Sequence, residues 1–158
     1  MKSYHLTFRQ NLPISLTEAW DFFSSPLNLA KITPSDMAFK VTSDINLESK
    51  MYPGMIITYK VSPFAGVNLN WMTEITQIEK EKYFIDEQRF GPFKFWHHQH
   101  HFKAIANGVE MTDILTYGLP FGFIGEMAHV MFVGKRLKEI FAYREMKTIE
   151  LFGDLRIN

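Results

Sequence analysis

The chain has no cysteine. That removes disulfide staples and thiolate nucleophiles, leaves any metal to His, Asp or Glu ligands, and fits a reducing compartment. An excess of one charge sign is also missing, since 17 Lys and Arg balance 17 Asp and Glu. Nothing here resembles the clustered cationic surface that displaces counterions from nucleic acid. No apolar run reaches the ~18 residues of a membrane span. The greasiest window, "YGLPFGFIGEMAHVMFVG", is broken by Glu126, His129 and several glycines. The N-terminal "MKSYHLTFRQNLP" lacks the apolar h-region of a signal peptide. The expectation is a soluble, cytoplasmic protein with no nucleic-acid partner and no stable membrane insertion. No Gly-rich phosphate loop, G-x-S-x-G elbow or other cofactor fingerprint occurs, so no cofactor is expected.

What the chain does have is aromatic and flexible apolar mass: fifteen Phe, nine Met and three Trp in 158 residues. That length suits one domain, 1–158, with a core of its own, and no repeat or linker divides it. "SYHLTFRQN" alternates Tyr4, Leu6 and Phe8 against His5, Thr7 and Arg9, the period of a half-buried strand. "ISLTEAWDFFSS" reads as a helix capped by Ser15 or Thr17, and Ser15 has Glu18 at capping-box spacing. Pro26 starts a second short helix, "PLNLAKIT", which Thr33-Pro34 ends.

Strand patterns follow: "MAFKVTSD", "MIITYKVS", "VNLNWMTEITQIEKE", "KYFIDEQRF", a histidine-rich segment, and "VEMTDILTYG". From about Ile124 the period turns helical, with Met127, Val130, Val133, Leu137, Ile140 and Phe141 on one stripe. A helix continuing to about residue 151 would be roughly 40 Å long. Chain-sequential strands imply an antiparallel sheet. The expected class is α+β: a twisted antiparallel sheet wrapped around a long C-terminal helix, with two short helices after the first strand. The space between sheet and helix is the natural place for a ligand.

Four of the six histidines fall in "HHQHH", residues 97–101. Alternation puts Trp96, His98, His100 and Phe102 on one face and Phe95, His97, Gln99, His101 and Lys103 on the other. The first set is bounded by large aromatics and is placed inward. The second ends in Lys and is placed toward solvent. Asn107-Gly108 is the strongest hairpin signal in the chain. As a two-residue turn it sets Ala106 against Val109, hence Phe102 against Asp113, His100 against Leu115 and His98 against Tyr117, with Asp113 diagonal to His100. The inner face then carries His98, His100, Asp113 and Tyr117 among aromatic residues.

Three readings of that cluster stand side by side. Buried polar groups satisfy one another. Alternatively, they anchor a ligand in an apolar cavity, or the His98-x-His100 pair and a carboxylate hold a metal. The third lacks a further spaced histidine and the cupin Glu, since Ala104 and Ile105 occupy its place, so no metal is assigned. For catalysis, His98 or His100 with Asp113 forms a base–orienter pair, the catalytic candidates being His98, His100 and Asp113.

The stretch "FIDEQRFGPFKFWHHQHHF", the Asn107-Gly108 turn and "TDILTYGLPFGFIGEMAHVMFVGKRLKEIFAYR" together resemble the ligand-binding SRPBCC proteins of the START/Bet v 1-like helix-grip superfamily. The likeness is densest over 84–144 and rests on Gly91, Pro92, Phe93, Trp96, His98, His100, Phe102, Asp113, Tyr117, Pro120, Phe121 and Gly122. It implies a hydrophobic cavity between the sheet and the C-terminal helix. Superfamily members bind lipids, sterols, polyketides or hormones, and some are cyclases or hydratases. The resulting expectation is binding of a small hydrophobic or amphipathic molecule. Trp96, His98, His100, Phe102, Asp113, Tyr117, Met127 and Met131 are its contacts. The alternative is a cyclase or dehydratase using a pocket histidine as general base. Nothing in the sequence specifies an oligomeric state.

Overall fold

Alternation decides the first strand in the computed structural model, which describes residues 2–46, 49–63 and 66–155. Strand β1 (Tyr4–Leu12) turns Tyr4, Leu6 and Phe8 inward and leaves His5, Thr7 and Arg9 exposed. Helix α1 (Leu16–Phe23) starts where Ser15 Oγ accepts the Glu18 backbone N–H at 3.1 Å, and it buries Ala19 and Trp20. Pro26–Ile32 winds as a 3-10 helix, with proline in its first turn where no N–H is missed.

The remaining strands are β2 (Lys40–Val41), β3 (Met55–Val61), β4 (Leu69–Glu79), β5 (Tyr83–Phe90), β6 (Phe95–Ile105) and β7 (Gly108–Gly118). They pair antiparallel in the order β1-β7-β6-β5-β4-β3-β2, so the first strand joins the last. β2 is far shorter than "MAFKVTSD" suggests. Ser35–Met37 form a 3-10 turn, and Ala38 adopts a left-handed φ of 44° that no strand accommodates. Pairing of β4 with β5 slips twice, between Met72 and Thr73 and between Ile75 and Gln77. Such bulges bend a strand and raise its local twist, which hollows the sheet toward the helix side.

The C-terminal helix comes in three parts: α2 (Phe123–Ala128), a π turn over His129–Val133, and α3 (Gly134–Phe152). Among the described residues no helix is long and apolar enough to cross a membrane. Val133, Leu137 and Phe141 face the sheet and are buried, and Phe141 stacks on Phe8 with ring centroids 4.0 Å apart. The π turn inserts one residue, about 100° of rotation, into that stripe. Upstream of it Gly125 is buried and Ala128 half-buried against the cavity, while Ile124 borders the cavity and stays 70% exposed. Met127, Val130 and Met131, expected on the inner stripe, point outward instead at 48%, 79% and 58% exposure. With Phe121, Phe123 and Phe132 they form an exposed apolar rim.

Most of the buried apolar residues among those described fall into two groups. One lies under α1, around Trp20, Phe84 and Phe102. The other lies under α3, around Leu115, Tyr117, Leu137 and Phe141.

Candidate functional site

The inward face of β6 is Trp96, His98, His100 and Phe102, as its period requires, but its register against β7 differs by two residues from the turn-based expectation. His98 opposes Leu115, His100 opposes Asp113, and Phe102 opposes Met111. The reason is Gly108. A Cβ there would lie 2.1 Å from the Leu12 carbonyl oxygen, so Gly108 serves close approach to β1 rather than the turn. Ala106 and Asn107 make the turn, with Asn107 left-handed at φ 64°. An even shift leaves every side chain on its face.

On the other side of β6, Asp86 of β5 sits opposite His98. Two imidazoles and two carboxylates thus close into a ring. His100 Nε2 lies 2.8 Å from Asp86 Oδ2, and His100 Nδ1 lies 2.8 Å from Asp113 Oδ1. His98 Nε2 is 3.1 Å from Asp113 Oδ1, while its Nδ1 is 3.5 Å from Asp86 Oδ2. Phe84 stacks on His100 at 4.2 Å and Phe141 meets His98 edge-on at 5.6 Å. All four side chains of the ring are between 6% and 16% exposed, so their charges are screened weakly.

Burial alone would push both carboxyls up, but hydrogen bonds from His100, the charges of both histidines and further donors reverse this. Asp86 ends below the ordinary carboxylate range and Asp113 well below it. Burial would likewise push His100 down, yet its bonds to Asp113 and Asp86 win and hold it above the usual imidazole value. For His98 burial wins, helped by the charge on His100, and its pKa is lowered. At pH 6.5 the balance therefore leans to an imidazolium at His100, a neutral imidazole at His98 and two carboxylates.

This split gives stability a two-sided pH dependence. The His100 contribution is complete below its ordinary value of 6.5 and is lost as pH rises through its higher folded value. The opposite holds for His98, which costs stability as pH falls below 6.5, because only the unfolded chain takes up the proton. The carboxylate contributions vanish below 3.8, as pH falls through their depressed values. Urea denaturation between acidic and alkaline pH should therefore show a maximum near the ordinary histidine range. His100→Gln should flatten the alkaline limb and His98→Gln the mildly acidic one. An unchanged slope in both variants would contradict the assignment of the proton.

Above the ring opens a cavity of about 370 Å³. Its walls come from Thr73 and Ile75 of β4, Trp96 of β6, and Leu137 and Ile140 of α3, and Asp86, His98 and His100 form its polar end. A side cleft of about 60 Å³ shares His100, Phe141 and Arg144 with it and reaches Asp113.

Of the residues singled out from sequence, Trp96, His98 and His100 line the cavity. Asp113 stands behind the two histidines and opens only on the side cleft. Phe102 does not reach the cavity; it is buried under α1, edge-on to Trp20 at 5.4 Å. Tyr117, fully buried, lies apart from the ring, with its hydroxyl 2.9 Å from His129 Nε2 and its pKa pushed up to about 12 by burial and then by Tyr4. Met127 and Met131 are rim residues, turned outward by the π turn.

Sequence reasoning overlooks Asp86, His129 and Arg144. Asp86 shares an alternating face with Phe84, which is the available signal, but its partners lie on β6 and the β5–β6 register is not fixed by any turn motif in the sequence. His129 reaches Tyr117 because Gly134, without a Cβ, lets its ring pass; a Cβ there would stand 3.0 Å from Nε2. As a donor set, Asp86, His98 and His100 offer three ligand-type atoms within 4.8 Å of one another. In the ring these atoms already serve one another through protons.

No family model and no curated protein matches the chain. Solved structures do. The protein TTHA0849 from Thermus thermophilus superposes with a TM-score of 0.69 at 14% identity, covering 94% of this chain and 99% of that one. CV1439 from Chromobacterium violaceum gives 0.70 at 11% identity, over 95% and 98%. Ara h 8.0201, a Bet v 1 homologue, gives 0.61 at 10% identity, over 94% and 99%. At these identities the likeness speaks for architecture, and with the seven-stranded sheet gripping α3 it shows that the chain has the START/Bet v 1-like helix-grip fold.

Proposed function

We propose that the protein binds one small hydrophobic or amphipathic molecule, of lipid, polyketide or aromatic type, between the sheet and α3. The observation that carries this reading is the cavity itself. Its 370 Å³ falls within the roughly 300–1,000 Å³ of small-molecule sites. Its walls are mostly aromatic and aliphatic, with a few polar groups among them, the arrangement that fixes orientation while apolar burial supplies affinity.

Geometry favours binding over catalysis. A general base needs a nitrogen free to meet the substrate. Both nitrogens of His98 and of His100 are turned toward Asp86 and Asp113. The cyclase or dehydratase alternative would require the ring to open first.

N-Phenylnaphthylamine, a neutral probe that fluoresces in apolar surroundings, tests the reading. The wild-type protein should bind it saturably at one site. Ala128→Trp places an indole where Ala128 lines the cavity, and should abolish binding while circular dichroism shows the fold retained. Equal binding by a folded Ala128→Trp variant, or none by the wild type, would count against the proposal.

A further inference from the structure

We propose that the molecule held in this cavity carries a carboxylate and that Arg144 of α3 is the group that receives it. The inference rests on the cavity being a ligand site, and adds the chemical class of the ligand.

Arg144 is half-buried and lines both the main cavity and the side cleft, at the junction between them. A guanidinium offers five donors in a rigid fork. The other arginines among the described residues have carboxylate partners: Arg9 has Glu110, Arg89 has Glu74 and Glu87, and Arg136 has Asp36. Arg144 has no ion pair among those residues, and its Nε is buried with no hydrogen-bond acceptor. What it does touch is the face of Phe141, 5.0 Å from the ring centroid.

Carboxylates stand at the same end of the cavity, yet they are committed elsewhere. Asp86 and Asp113 accept from His98 and His100, whose bonds and charges favour their ionised forms. Arg136, the other guanidinium on the cavity wall, is held by Asp36 and by the Pro63 carbonyl. A buried Nε–H without an acceptor is costly, and a carboxylate from outside relieves that cost through two parallel N–H···O bonds. Leu29, Ile140 and Phe141 line the same cavity, so the rest of the ligand is apolar. The polarity is thus divided: one guanidinium for one carboxylate, and greasy walls for the body.

The test is displacement of bound N-phenylnaphthylamine by decanoate and by decanol, which share a chain and differ at the head. In Arg144→Gln the affinity for decanoate should fall about 10–100-fold, the range for hydrogen bonds to a charged group, while decanol and the dye bind as in the wild type. Arg144→Lys keeps the charge but not the fork and should fall between. If both competitors weaken together, or neither does, Arg144 acts only as a packing or counter-charge residue and the proposal is overturned. Failure of the dye itself to bind the wild type would instead overturn the cavity reading, and this inference with it.

Discussion

Asp113→Ala is expected to destabilise the protein by about 3–5 kcal/mol, the cost of removing one partner from a buried ion pair. His100 would remain enclosed with its Nδ1 facing nothing, and His98 would lose its stronger bond at 3.1 Å. The expected response is deprotonation of His100 and a collapse of the alkaline stability limb. Replacing all four members together should behave differently. Asp86→Leu, His98→Phe, His100→Phe and Asp113→Leu in one chain exchange a desolvated charge network for packed hydrocarbon, which is often neutral or stabilising by about 1–4 kcal/mol. Urea denaturation of the single and fourfold variants separates the two effects. A single-variant loss below about 1 kcal/mol, the scale of an exposed pair, would contradict the charged ring.

Phe141→Ala should cost about 3–5 kcal/mol, the usual range for truncating a buried phenylalanine. Phe141 is 6% exposed, stacks on Phe8, closes on His98 and carries Arg144 over its ring. With Leu137 it is one of the residues through which α3 grips the sheet. Because one side of it already borders the cavity, truncation joins existing space to new space, and the variant should accept bulkier guests than the wild type. Thermal melts measured with and without N-phenylnaphthylamine check both statements, since a guest that binds only the folded state raises the melting temperature. A loss within surface-substitution range would mean that α3 is held by other contacts.

The parts of this site legible in sequence are those that depend only on local period. Strand alternation puts Trp96, His98 and His100 on one face whatever they pair with, and an even register shift cannot alter that. Pairing itself is a matter of backbone approach. Asn107-Gly108 promises a turn, but Gly108 is needed against the Leu12 carbonyl, so the hairpin closes one position earlier on each side. Alternation does put Asp86 on the face of Phe84, but which β6 residues it meets depends on the β5–β6 register, which no turn motif in the sequence fixes. One inserted residue at the π turn sends Met127 and Met131 outward. Arg144 does leave a signal in the sequence: it lies three residues beyond Phe141 and four beyond Ile140, an arginine on an apolar helical line.

Crystals exposed to xenon under pressure give the most direct test that the space between sheet and helix accepts an apolar guest, because xenon enters dry cavities of this size and is located by its scattering. The expected result is a xenon site bounded by Thr73, Ile75, Leu137 and Phe141. Absence of xenon there, with those side chains in mutual contact, would contradict a guest-sized cavity under α3.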